Sequence, residues 1–392
     1  MRPHRFVVAA LAVLIGAASA TAAPPDKIRL GVISPVTGPF AALGNEQYMG
    51  FDLAMKELGN KLGGIPVEVF KEDSTMTPDG GLQVATRLVE RDKIDFLLGN
   101  LLSNQLLAYV KPVSGAGVFI LSGPAGPSEL AGADCNPNLF VMSWENNTPS
   151  EAVGQYMTDS GVKRAFFLSQ NFVTGKEHAA GAKHYFKGEV VGEAYVPIAQ
   201  VDYAAEIAAI RAANPDGVFV FLPGAGGIAF LKQFADSGLK DKVKLFSGSW
   251  LADEHSFKAV GDAALGVMLA ANWFADLDNP ANRKFVADFN GAYGRNPVFY
   301  AAFIYDSVML IDAALRTVHG EIADKTALRQ ALAAAQFDSV RGKFRFNVNH
   351  FPIQDFYAAR VIDKNGVRQH EVVGTIFHDH KDRFYESCHM AN

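Results

Sequence analysis

Charge is sparse in this sequence. Asp, Glu, Lys and Arg make up 20% of 392 residues, and the formal net charge is −5. No basic block occurs, which argues against nucleic-acid binding, because that needs Lys and Arg clustered against phosphate. Long apolar runs are equally scarce. Only Phe6 to Gly16 qualifies; it is too short to span a bilayer comfortably, and no charged stop-transfer pattern follows it. The common catalytic signatures are missing. No Ser sits in a G-x-S-x-G frame, so there is no nucleophile elbow. Lys176 is followed by Glu177 and Lys343 by Phe344, which excludes a phosphate-binding Gly-Lys-Ser/Thr loop. His370-Glu371 runs on to Gly374, so the H-E-x-x-H zinc motif fails as well. Neither an enzyme nor a bound cofactor is expected.

What is present begins at the N-terminus. Arg2, His4 and Arg5 precede the apolar stretch, and Ala18-Ser19-Ala20-Thr21-Ala22-Ala23 follows it with A-x-A spacing. Residues 1–23 therefore read as a secretory signal peptide. No cysteine follows the apolar run, so a lipid anchor is not expected. There are two cysteines in all, Cys135 and Cys388. In an exported chain they read as one disulfide, with two free thiols as the alternative.

The remaining length suggests two domains. Strand patterns at Lys27–Ile33, Val67–Phe70, Ile94–Leu98, Val118–Leu121 and Leu139–Met142 alternate with helical spacing at 46–58, 80–92 and 103–113. After the polar stretch Ser143–Pro149 a second series opens, with strands at 165–168, 190–196, 218–222, 244–246 and 267–271. Long helices are expected at 282–293 and 299–318. The tail is strand-rich at 343–347, 357–362 and 371–377, and Asp363–Gly366 makes a tight turn between two of these strands. The fold class is α/β: two doubly wound, Rossmann-like lobes joined by a three-segment hinge. Lobe 1 is expected from 27–145 plus 277–348, and lobe 2 from 146–276 plus 349–392. Ligands of such sheets bind at the carboxyl ends of the strands, so facing lobes line a cleft.

Two local patterns invite chemistry. Gly224-Ala225-Gly226-Gly227-Ile228-Ala229 fits a dinucleotide loop, but no carboxylate follows on the next strand to hold a ribose, and the glycines read better as a helix opening in the cleft. His378-Asp379-His380, with His389 nearby, is either a metal site or a solvated turn; without cysteine partners, the turn is the simpler reading.

In order and spacing, several short segments resemble the periplasmic leucine/isoleucine/valine-binding proteins of ABC importers, the type I solute-binding fold. These are Ile33–Phe40 with Gly44, Lys71–Ser74, Gly99–Ser103, Leu121–Gly126 with Glu129-Leu130, and Pro297 with Tyr305–Ser307. The resemblance covers the whole chain after the leader. It implies a periplasmic monomer that hands a small-molecule carboxylate to the permease subunits of an ABC transporter.

It also implies that Ser103, the Gly126 amide and the loop carrying Pro124 grip the carboxylate; Ser103 reads otherwise as a helix cap. The chain departs from the family's amino-acid binders at the ammonium site. Their Thr falls on Gly126 and their Glu on Trp250, and an indole cannot neutralise a buried ammonium. The family's second-lobe aromatic falls on or beside Gly224, which is expected to open space, and an aromatic near Gly175 falls on Thr174 or Phe172. The expected ligand is an aromatic or other apolar acid stacked on Trp250, with Phe40, Phe172 and Tyr300 as neighbours. Trp250 reads otherwise as a core aromatic. Asn146 either meets a ring hydroxyl or caps a helix. The alternative ligand is a branched-chain amino acid. A ligand-sensing receptor domain is disfavoured, because no signalling module follows before Asn392.

Overall fold

The computed structural model describes residues 24–390; the signal peptide read from residues 1–23 lies outside them. The first sheet has the order β2-β3-β1-β4-β5-β6. Its strands are β1 Ile28–Ser34, β2 Lys61–Leu62, β3 Ile65–Asp73, β4 Phe96–Gly99, β5 Phe119–Ser122 and β6 Leu139–Val141. Only the short β2 runs antiparallel. The connecting helices are α1 Ala41–Glu57, α2 Pro78–Glu90, α3 Ser103–Gly115 and α4 Ser128–Ala131. Helices cover both faces, so alternate residues enter different cores. Ile33, Leu97, Ile120 and Val141 join the cluster under α2 and α3. Leu30, Val32, Leu98, Leu121 and Phe140 join the other, larger cluster.

The second sheet repeats the plan with α5 Thr148–Asp159, β7 Arg164–Gln170, α6 Val173–Tyr185, β8 Glu189–Val196, α7 Ala204–Ala213, β9 Gly217–Phe221, α8 Ala225–Asp236, β10 Lys244–Gly248, α9 Phe257–Val260 and β11 Met268–Ala271. The chain then returns to the first lobe as α10 Pro280–Tyr293, α11 Phe299–Thr317 and α12 Lys325–Ala334. Gly50 lets α1 and α11 cross closely, since a Cβ there would lie 2.3 Å from the Ala301 carbonyl oxygen. β12 Arg345–Phe346, β13 Pro352–Lys364 and β14 Val367–His380 close the second sheet. β13 lies antiparallel to β11, and β14 to β13.

Side-chain amides bind together three of the chain segments that cross between the sheets. Asn272 Nδ2 donates to the Ser143 carbonyl (3.1 Å) and to Gln354 Oε1 (2.8 Å), while Gln354 Nε2 donates to the same Ser143 carbonyl (2.7 Å). Arg341 reaches Gln354 and forms a fully buried ion pair with Asp306. After β14 the chain turns back toward the first sheet. Phe384 packs against the cluster under α2 and α3, and Cys388 is bonded to Cys135.

Three expectations shift. Helix α12 and the short α4 have no counterpart in the sequence reading. β13 and β14 extend well beyond the expected 357–362 and 371–377, because both strands keep pairing to the Asp363–Gly366 turn. His378, Asp379 and His380 diverge at the end of β14. His378 meets Asp355, Asp379 pairs with Lys343 and Arg345, and His380 meets Glu151. Among the described residues no cluster of His, Cys, Asp and Glu is placed to hold a metal ion.

Candidate functional site

The carboxyl ends of both sheets face one another across a small cavity of about 30 Å³. Of the residues expected at the site, Phe40, Pro124, Phe172, Thr174, Trp250 and Tyr300 line it. Phe40 comes from the loop after β1, and Pro124 from the loop after β5. Phe172 and Thr174 open α6, Trp250 follows β10, and Tyr300 opens α11. Strand–loop–helix connections thus deliver all of these groups but Tyr300, which the α10–α11 connection brings to the same point. No Asp, Glu, Lys or Arg lines the cavity among the described residues.

Ser103, Asn146 and Gly126 stand just behind this wall, in one hydrogen-bonded network. Ser103 Oγ lies 3.0 Å from Thr174 Oγ1 and accepts from Asn146 Nδ2 at 2.9 Å. The Gly126 amide donates to Asn146 Oδ1 at 3.2 Å. Glycine is required at 126, because a Cβ would lie 1.9 Å from the Trp144 carbonyl oxygen. The cap readings fall away. The residue capping α3 is Leu102, so Ser103 already lies in the first turn with its hydroxyl free to face Thr174. Asn146 likewise precedes the Asn147 cap of α5 and serves the network instead.

Glu177 completes the network from the second lobe. Its Oε2 accepts from Asn146 Nδ2 (2.6 Å), and its Oε1 accepts from the Ser128 amide (2.9 Å) and the Ser128 hydroxyl. Burial pushes the Glu177 carboxyl above its usual range, against the opposing effect of these donors. The first turns of α3 and α6 meet here, so their unpaired amides make the region favourable for negative charge.

Gly224 is placed differently from expectation. Its φ of 71° suits glycine, and it opens α8 as the sequence suggested. It adds no open volume, however. A Cβ would lie 3.0 Å from the Pro39 carbonyl oxygen and 3.2 Å from the Phe40 ring, so the bare backbone lets the two lobes seat against each other.

The sequence reading missed half of the wall. Trp144, His178, Phe221 and Phe299 all line the cavity. His178 stacks on Phe221, with centroids 4.1 Å apart at 18°, and its centroid lies 4.5 Å from that of Trp250. Trp144 tilts against Phe299 at 5.4 Å. Burial alone holds the His178 imidazole well below its usual range, so the ring is neutral. The available signals were modest. His178 follows Thr174 by one helical turn, Phe221 ends a strand at the ligand side of a sheet, and Trp144 is a lone large aromatic in a polar crossover.

Comparisons with known proteins agree with this architecture. A solute-binding protein of an ABC transporter from R. palustris, solved in complex with benzoate, superposes with a TM-score of 0.88 at 30% identity, covering 93% of this chain and all of that one. A second, from Rhodopseudomonas palustris BisB5 in complex with 3,4-dihydroxybenzoic acid, gives 0.84 at 28% identity over 92% of this chain and 99% of that one. A curated relative, Leu/Ile/Val-binding protein homolog 6 of Brucella melitensis, is 30% identical over 349 residues, 86% of this chain and 87% of its own length. The periplasmic binding protein model matches residues 27–366. On the fold, the opposed strand ends and these matches, the chain belongs to the periplasmic binding protein family.

Proposed function

We propose that this protein captures a small aromatic carboxylic acid between its lobes and delivers it to the membrane subunits of an ABC importer. The observation that carries this reading is the character of the cavity wall: aromatic rings on most sides, and no charged side chain among the described residues. An amino-acid ligand would bury its ammonium there without a carboxylate partner, at a cost of several kcal/mol on the scale of unpaired buried ions. A carboxylate needs no cation if neutral donors at helix N-termini receive it. The Thr174 hydroxyl in the wall and the Ser103 hydroxyl behind it would be those donors, while the Gly126 amide holds Asn146 in place beside Glu177. Rings then stack on Trp250, Phe40 and Phe172. The benzoate and dihydroxybenzoate complexes of the related solute-binding proteins support the same ligand class. The family implies the periplasm. Residues 1–23 would serve as the export signal, and the protein would act as a monomer without catalysis.

The test is a thermal-shift screen of benzoate, hydroxybenzoates and cinnamates against leucine, isoleucine and valine. A ligand that binds only the folded state raises the melting temperature. Stabilisation by the ring acids alone is expected; stabilisation by leucine and not by benzoate would favour the branched-chain reading that the names of the curated relatives suggest.

A further inference from the structure

His178 supplies a second recognition point in the same cavity. It is buried, and its Nδ1 lies 2.7 Å from the Ser150 hydroxyl. That hydroxyl has no other hydrogen-bond partner among the described residues; when it donates to Nδ1, the ring carries its own proton on Nε2. Nε2 makes no hydrogen bond among the described residues, and Phe221 covers a ring face, so this N–H must find its partner in the plane of the ring. One further donor in the wall lacks a partner: the buried indole N–H of Trp144 has none among the described residues. Buried donors without acceptors are costly, and sites built this way select ligands that bring the acceptor.

The placement on α6 fixes where that acceptor sits. Thr174 and His178 are four residues apart and share one face of α6, about 6 Å apart along the axis. An acid held at Thr174 and Ser103 therefore projects its ring past Trp250 with its far edge toward His178. No cation lines that end, so the acceptor is uncharged; a second carboxylate would be buried without a partner.

We infer that Ser150 donates to His178 Nδ1, and that the Nε2–H this leaves selects ring acids bearing a neutral hydrogen-bond acceptor, such as a hydroxyl or ether oxygen, opposite the carboxylate. This rests on the aromatic-acid reading above.

Calorimetry with 4-hydroxybenzoate, 4-methoxybenzoate and 4-methylbenzoate tests it. The wild type is expected to bind the two oxygen-bearing acids three- to tenfold more tightly than the methyl analogue, the range of one neutral hydrogen bond. His178→Leu should erase that preference while still binding 4-methylbenzoate. His178→Gln, which keeps a donor, should retain part of it and guards against a folding defect in the leucine variant. Equal wild-type affinities for the three acids would overturn the inference. So would loss of 4-methylbenzoate binding in a folded His178→Leu protein, which would place the acid end at the histidine. Failure of the wild type to bind any ring acid would overturn the ligand class, and the inference with it.

Discussion

On one side of Phe299 lies the aromatic cavity, without a charged side chain among the described residues; on the other, Asp253, Glu254 and His370 are packed together. Both compartments are buried where the lobes meet. In the second, charge survives because partners are built for it. His370 Nε2 donates to the Ala252 carbonyl at 2.7 Å, and its Nδ1 faces Glu254 at 3.2 Å. Burial alone would lower the His370 pKa, but Glu254 and the Ala252 carbonyl outweigh it and raise the group to about 9. Burial lifts Asp253 to about 7. His178, with no carboxylate beside it, moves the opposite way. The lobe interface can therefore hold ions, and their absence from the cavity is a local property of its lining. Phe299 lines both compartments and stands between them.

Removing that partition has the largest expected effect. Phe299→Ala should cost about 3–5 kcal/mol in urea unfolding, the usual range for a buried aromatic, and should weaken ring-acid binding as well. A loss below about 1 kcal/mol would show that the wall is not structural. Next comes the cation behind it. The His370 pKa is raised on folding, so its stabilisation is complete below about 6.5 and fades as pH rises through 9. His370→Leu should lose on the order of 3 kcal/mol at pH 6, with the gap to wild type closing by about pH 10. A gap that does not change with pH would reject the charged imidazole.

The cavity side should respond in affinity rather than stability. Ser103→Ala is expected to weaken ring-acid binding by about 1.5–3 kcal/mol, the value of a hydrogen bond to a charged group, with the fold unchanged. An unaltered dissociation constant in calorimetry would remove Ser103 from the acid end. Trp250→Phe keeps a ring but shrinks the stacking face, and should cost about 0.5–1.5 kcal/mol of binding. A loss confined to stability would make Trp250 a core residue alone.

The sequence made the polar end of the site more legible than the aromatic end. Ser103, Pro124 and Gly126 lie on strand-to-helix loops whose residue order is itself informative. His178 and Phe221 carry no such mark; each reads as an ordinary buried residue until the lobes are brought face to face. Distances in the chain hid the rest. Phe299 and Trp144 are 155 positions apart and touch only because α11 returns to the first lobe after the second has been built. The periodicity of β13 and β14 gave their existence but not their length, since pairing continues into residues with no apolar alternation. The role of Gly224 was misjudged for a similar reason: what fills the space beside a glycine belongs to the opposite lobe.

The bridge between Cys135 and Cys388 encloses a sequence separation of 253 residues. The tail reaches Cys135 only after β14 has been laid against β13, because that strand carries the chain to the edge from which it turns back. In the folded chain the two sulfurs are thus brought together by the assembly of both sheets. In an oxidising compartment such as the periplasm, so long a closed loop would restrict the unfolded chain and tie the tail to the first lobe.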